Sequence, residues 1–190
     1  MLLSRSLKTL VLGCALLAGG CDRQSDSPAQ PQRGNGAQAQ TGIVDRSKAG
    51  EGLPDISVHL PDGQSLQLPS LAGRPVLINL WATWCAPCIA ELPTLNSLAA
   101  REKAGLRVLT ISQDSARTKD VPGFLAQRGG ARLEPWLDPE SQLSFHYATG
   151  TLPTTVLYDA AGKEVWRYVG ERDWSDAKSA ALLTETSGQK

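Results

Sequence analysis

The amino-acid sequence predicts an α/β fold with a central mixed sheet flanked by helices. The first observation is a nearly continuous apolar run over residues 76–81, typical of a strand buried on both faces. The second is that segments of strand and helix character alternate after this run, which favours parallel pairing. The third is that short alternating strands near both ends of the chain indicate antiparallel hairpins.

The elements before the middle of the chain follow from apolar spacing. Alternation over residues 56–60, a Pro61-Asp62-Gly63 turn and alternation over residues 66–68 predict an N-terminal β-hairpin. Residues 85–101 are predicted as a helix that Pro93 should kink. Its apolar face would consist of Ile89, Leu92, Leu95, Leu98 and Ala99.

The sequence of the second half of the chain predicts a strand, two helices, a β-hairpin and a C-terminal helix. Gly129-Gly130 should end the first of these helices. The predicted elements are a strand over residues 106–111, helices over 121–128 and 140–147, strands over 154–158 and 164–169 joined by a turn at 159–162, and a helix over 174–183.

Composition and charge argue against a nucleic-acid partner. The chain has 190 residues, of which 41% are hydrophobic and 20% are charged, and its formal net charge is zero. This balance is ordinary for a globular domain. Because nucleic-acid binding requires a basic surface, and no basic stripe with interleaved aromatic residues is present, we expect no such partner.

The N-terminus has the pattern of an export signal. Arg5 and Lys8 precede an apolar run over residues 10–17, which is too short to span a bilayer. The run ends at Gly19-Gly20-Cys21, which resembles a bacterial lipobox with Cys21 as the lipidated residue. We expect a signal peptide over residues 1–20, a flexible tether over 21–52 and a folded domain over 53–190. An uncleaved anchor, or a secretory peptide with an incidental cysteine, is the alternative.

Trp84-Cys85-Ala86-Pro87-Cys88 is the strongest chemical signal in the sequence. It lies where a buried strand passes into a helix, and the N-terminus of a helix stabilises a thiolate. This placement predicts Cys85 as the nucleophile and Cys88 as the resolving thiol. The alternatives are an inert pair or half of a zinc site. A structural zinc site needs four ligands, and His59 and His146 are the only histidines.

Two motifs resemble the thioredoxin superfamily, and more closely its envelope branch of TlpA-, ResA- and DsbE-like proteins. They are the segment from Pro75 to Pro93 and the segment Leu152-Pro153-Thr154-Thr155. The resemblance implies a thioredoxin-like fold with a helical insertion over residues 121–147. It also implies a cis Pro153 beside the cysteines, with the Leu152 backbone pairing with an incoming peptide. Thr151 departs from the glycine frequent in this branch. The candidate substrate-binding residues are Trp84, Ala86, Pro87, Leu152 and Pro153.

Glu91 has two possible roles. Ordinary thioredoxins have a buried aspartate where this chain has Asn79, and an asparagine cannot accept the proton that Cys88 must lose. Glu91 follows Cys88 by three positions, close to the same helix face. It is therefore a candidate catalytic proton acceptor. The other interpretation is a solvated helix charge.

The resemblance implies a periplasmic thiol-disulfide oxidoreductase, anchored to the inner membrane by Cys21, that reduces disulfides in exported proteins. Clients would include apocytochrome c or another specific protein, and electrons would come through a membrane thiol transporter. We expect a monomer with no cofactor and no metal. An oxidant or isomerase of the same fold is one alternative. A copper metallochaperone is another, although soft copper sites usually recruit methionine and Met1 is the only one.

Overall fold

A computed structural model describes residues 42–101, 105–115 and 120–187. The predicted signal peptide, Cys21 and the predicted tether up to residue 41 lie outside these ranges. Among the described residues, no helix is both long enough and apolar enough to cross a bilayer.

The centre of the fold is a mixed sheet of eight strands within the described ranges. The strands are β1 Val44–Asp45, β2 Ser57–His59, β3 Ser65–Gln67, β4 Val76–Trp81, β5 Arg107–Ser112, β6 Trp136–Leu137, β7 Thr154–Tyr158 and β8 Glu164–Val169. Their spatial order is β1-β8-β7-β4-β5-β6-β2-β3, and the β4–β5 and β5–β6 pairs are parallel while the other pairs are antiparallel.

Helices cover both faces of this sheet, as predicted. The α-helices are α1 Ala86–Ala99, α2 Val121–Gln127, α3 Gln142–Tyr147 and α4 Ala177–Leu183, with 3₁₀ turns at Leu68–Leu71 and Thr184–Ser187. Leu77 of β4 belongs to the core cluster that contains α1, whereas Ile78 belongs to the cluster that contains Leu143 of α3. All six residues of β4 are buried, because successive side chains enter opposite layers of the core.

The predicted elements are confirmed, with shifts at two helix starts that capping explains. Helix α3 begins at Gln142 instead of residue 140, because the Asp138 carboxylate accepts the Gln142 and Leu143 backbone N–H groups at 3.0 and 2.9 Å. Helix α4 begins at Ala177 instead of residue 174, after Asp176 as its N-cap. Gly129, at φ +81°, follows the end of α2.

The predicted boundary of the tether at Gly52 was wrong. Val44 and Asp45 form β1, which pairs with Tyr168 and Arg167 of β8. Gly52 makes a further antiparallel bridge with Lys163. The edge of β8 offers unpaired backbone groups, and Ile43-Val44 is the only β-branched apolar pair in this stretch. The folded domain therefore includes residues 42–52.

Candidate active site

The candidate site lies at the edge of the sheet where the parallel strands end. The Cys85–Cys88 motif follows β4, Gln113 and Asp114 follow β5, and Asp138 follows β6. Strand β7, which is antiparallel to β4, begins at the same edge. Carboxyl ends of parallel strands form the usual functional edge of an open α/β sheet.

Cys85 and Cys88 are joined by a disulfide at the start of α1. Cys85 is the N-cap residue, and its Sγ accepts the Cys88 backbone N–H at 3.3 Å. Cys85 is 6% exposed and Cys88 is fully buried, while Ala86 and Pro87 between them are exposed. A reagent approaching from solvent therefore meets Cys85 before Cys88.

The Leu152–Pro153 peptide bond is cis, as predicted. Pro153 is buried, and its carbonyl accepts the Gly170 N–H at 2.9 Å. Thr154 Oγ1 donates to the Thr151 carbonyl at 2.7 Å and shares a second hydrogen bond with Thr149. These contacts fix the loop that leads into β7.

A groove of about 370 Å³ opens beside this loop. Trp84, which is 71% exposed, and the half-buried Leu152 both contribute to its wall. The remaining lining residues are Gln113, Ser141, Ser144, Phe145, Thr149, Gly150 and Thr151. The structure thus places two of the predicted substrate-binding residues, together with Thr151, on one concave surface.

Glu91 is buried, so the interpretation of a solvated helix charge was wrong. Its side chain is 1% exposed, and each carboxylate oxygen accepts hydrogen bonds. Asn79 Nδ2 donates to Oε1 at 2.6 Å, and the Arg172 backbone N–H and Trp174 Nε1 each donate to Oε2 at 3.2 Å. Burial raises the pKa of Glu91 to about 7, although these three hydrogen bonds act to lower it.

Asn79 connects Glu91 to the strand that follows the cis-proline. Its Nδ2 donates to Thr155 Oγ1 at 3.0 Å as well as to Glu91. Within the described residues, Asn79 Oδ1 has no hydrogen-bond partner. One buried amide therefore joins β4, α1 and β7.

The sequence matches the Redoxin family over residues 48–183. The chain belongs to the redoxin family. It is 30% identical over 129 residues to thiol-disulfide oxidoreductase ResA of Bacillus thuringiensis, covering 67% of this chain and 73% of the relative. It is 32% identical over 123 residues to thiol:disulfide interchange protein DsbE of Xylella fastidiosa, covering 64% of this chain and 61% of the relative.

A solved DsbE-type thiol:disulfide interchange protein from Chlorobium tepidum has a similar structure. The TM-score is 0.64 at 30% identity, and the match covers 74% of this redoxin and 98% of that chain. The fold is therefore thioredoxin-like, as predicted. The family, these relatives and the Cys85–Cys88 disulfide together show that this redoxin is a thiol-disulfide oxidoreductase.

Sequence reasoning missed the carboxylate that holds the turn before the cysteines of this redoxin. Asp114, which is 3% exposed, accepts the Thr83 backbone N–H at 2.9 Å and the Thr83 hydroxyl at 2.8 Å. Its Oδ2 also accepts the Ser112 hydroxyl at 2.8 Å. The sequence signal that could have identified Asp114 is its position. Asp114 follows a predicted buried strand that should pair in parallel with the strand preceding the cysteines.

The two histidines considered as zinc ligands, His59 and His146, are exposed. No group of three or more His, Cys, Asp or Glu side chains in the described ranges is arranged to hold a metal ion.

Proposed function

We propose that this redoxin reduces disulfides in client proteins, with Cys85 as the nucleophile and Cys88 as the resolving thiol. The observation that carries the proposal is the difference in exposure between the two sulfur-bearing residues. Cys85 lies at the surface end of α1 and Cys88 is fully buried. A client disulfide can therefore reach Cys85, while Cys88 is limited to attack within the molecule.

The reaction transfers two electrons and two protons to the client. The Cys85 thiolate attacks one client sulfur, which forms a mixed disulfide and releases the other client sulfur as a thiolate. Cys88 then attacks Cys85 Sγ, which forms the Cys85–Cys88 disulfide and releases the second client thiolate. The protons lost by the two enzyme thiols end on the two client thiolates. An external dithiol restores the reduced enzyme.

Glu91 is proposed as the group that accepts the Cys88 proton. It lies one helical turn after Cys88 on α1, and both residues are buried. Because burial raises its pKa to about 7, the carboxyl group can both take up and release a proton near neutral pH. Asn79, Trp174 and the Arg172 backbone hold the charged form in place.

The client is proposed to bind across the mouth of the site. Trp84, Ala86 and Pro87 are exposed around Cys85, and Leu152 lies on the wall of the adjacent groove. The Leu152 backbone would pair with an extended client segment, which is a form of β-augmentation. Pro153 would contact the same segment at the start of β7.

We further propose that the protein works as a monomer on the periplasmic side of the inner membrane. The support is the sequence pattern of a signal peptide over residues 1–20, a lipidated Cys21 and a polar tether over 21–41. Electrons would come through a membrane thiol transporter, and apocytochrome c is one proposed client class.

Trapping of mixed disulfides tests the proposal directly. In cells that carry the full chain with Cys88→Ser, clients should accumulate as reducible adducts on Cys85. The control is the Cys85→Ser, Cys88→Ser double variant, which lacks both thiols of the redox motif and should yield no such adducts. Absence of adducts with the single variant would contradict the proposed reaction. Stoichiometric copper binding by the reduced chain would instead favour a metallochaperone.

A further inference from the structure

Phe145 is an aromatic side chain presented to solvent beside the redox centre. It is 79% exposed, more than the other large exposed hydrophobic residues of the described ranges, Trp84 at 71% and Ile43 at 52%. Phe145, Trp84 and Leu152 line the same groove. Exposed apolar groups that converge on one concave surface indicate a binding site.

Among the described residues, no charged side chain lines the groove. Apart from its three apolar residues it is lined by hydroxyl and amide groups and one glycine, namely Gln113, Ser141, Ser144, Thr149, Gly150 and Thr151. Its volume of about 370 Å³ lies in the range of small ligand pockets. Such a surface favours an uncharged, bulky apolar side chain over an acidic or basic one.

Phe145 lies on helix α3. Hydrogen bonds connect the N-terminal end of this helix to the sheet beside the redox motif. Asp138, which is 1% exposed, caps the helix through its first backbone N–H groups. Gln113 Nε2 donates to Asp138 Oδ2 at 3.1 Å, and Gln113 Oε1 accepts the Ser144 hydroxyl at 2.8 Å. The Gln113 backbone N–H donates to the Trp81 carbonyl at 2.8 Å. Helix α3 is therefore connected to the end of the strand that leads to Cys85.

The C-terminal end of α3 is also anchored by buried side chains. Arg167 donates to the Tyr147 carbonyl at 2.9 Å, and the Tyr147 and Tyr158 hydroxyls are 3.0 Å apart. Ser141 and Ala148, which flank the helix, have φ values of 55° and 53°. This left-handed conformation is unfavourable for residues other than glycine and persists only where surrounding contacts maintain it. The backbone of α3 that carries Phe145 is therefore anchored at both ends beside the groove.

We propose that Phe145 is a specificity-determining residue, which together with Trp84 binds a bulky apolar side chain next to the reacting cysteine of the client. The occupant of the groove is an extended client segment, because two of its lining residues, Trp84 and Leu152, directly precede Cys85 and the cis Pro153 in the chain. This inference rests on the proposed reduction of client disulfides and specifies its substrate class.

Competition between two peptide disulfides tests this assignment. The peptides are identical except that the residue beside the cysteine is Phe in one and Ser in the other, and each is a disulfide-linked dimer. The reduced full chain should reduce the Phe peptide roughly tenfold faster, the scale at which an apolar pocket discriminates between side chains. Phe145→Ser should bring the ratio close to one, and Phe145→Leu should keep most of it.

Matched controls separate recognition from chemistry. Gln142 is exposed on the same helix but does not line the groove, so Gln142→Ala should keep the wild-type ratio. The Gln142→Ala variant should also reduce glutathione disulfide at the wild-type rate. Two results would overturn the assignment of Phe145 but not the proposed reduction. One is a wild-type chain that reduces both peptides equally, and the other is a Phe145→Ser variant that keeps the preference. A chain that reduces neither peptide would contradict the proposed reduction and the assignment with it.

Discussion

Asn79 donates its side-chain N–H to Glu91 over 2.6 Å, and both side chains are almost completely buried. This hydrogen bond joins the strand before the redox motif to the helix that contains Cys88. A carboxylate at this depth is stable only while its donors remain in place. The ionisation of Glu91 is therefore coupled to the structure around the disulfide.

Glu91 should make the folded protein less stable as the pH rises. Its pKa is about 7 in the folded protein, above its ordinary value of 4.5, so the folded state binds this proton more tightly than the unfolded state. The contribution to the free energy of unfolding is largest below about pH 4.5 and falls through about pH 7, by about 3 kcal/mol. Urea denaturation of wild type and Glu91→Gln across this range measures it.

Glu91→Gln also replaces one of the two acceptor oxygens with an NH₂ group, which costs stability at every pH. The difference in the free energy of unfolding between wild type and variant therefore contains a constant part and a pH-dependent part. Because of the pH-dependent part, this difference should shrink as the pH rises. Glu140→Gln, at an exposed position, should follow the wild-type curve. A difference that stays constant across the range would show that Glu91 remains charged in the folded state.

The same substitution should slow the second step of the reaction. If Glu91 accepts the Cys88 proton, Glu91→Gln should reduce the rate at which Cys88 resolves the mixed disulfide roughly tenfold or more near neutral pH. Rapid mixing of the reduced chain with a peptide disulfide, following release of the second peptide thiol, gives this rate. An unchanged rate would leave Glu91 with a structural role only.

Removal of Asp114 should destabilise the turn before Cys85. Asp114→Ala leaves the Thr83 N–H and two hydroxyls without their acceptor, which should lower the free energy of unfolding by about 3 kcal/mol. Thr83→Ser keeps the hydroxyl that donates to Asp114 and should cost less than about 1 kcal/mol. Chemical denaturation of both variants checks the prediction. Equal losses would show that the hydrogen bonds are not the cause.

Removing one partner of the Arg167–Glu164 ion pair should strongly lower the free energy of unfolding. The two side chains are 7% and 1% exposed and lie 2.7 Å apart. Arg167→Met leaves a buried carboxylate without its partner and should cost about 3–5 kcal/mol, whereas adding Glu164→Leu should recover most of the loss. Urea denaturation of the single and double variants gives both values. A double variant as unstable as the single one would contradict this explanation.

The sequence was sufficient to predict the sheet strands that bear on the site, because β4 is a nearly continuous apolar run and β7 and β8 are short segments of strand character joined by a turn at residues 159–162. The cis-proline followed from the resemblance of the residues around Pro153. The burial of Glu91 could not be predicted, since its donors come from Asn79, Arg172 and Trp174, which are distant in sequence.

Two further features also depend on tertiary structure. Strand β1 forms because the edge of β8 is available to pair with it. The local sequence around β1 is otherwise typical of a flexible tether. The position of Phe145 beside Trp84 depends on the buried side chains that anchor α3, and periodicity alone gave that helix no role. Val44 pairs with Tyr168, far along the chain, while Gln113 and Arg167 are 31 and 20 residues from the α3 residues that they contact.

The midpoint potential of the Cys85–Cys88 couple, titrated in the full chain against defined thiol buffers, tests the proposed direction of electron flow most directly. A dedicated reductant should have a potential near or below that of thioredoxin, about −270 mV. A potential near that of DsbA, about −120 mV, would mean that the protein oxidises its clients instead.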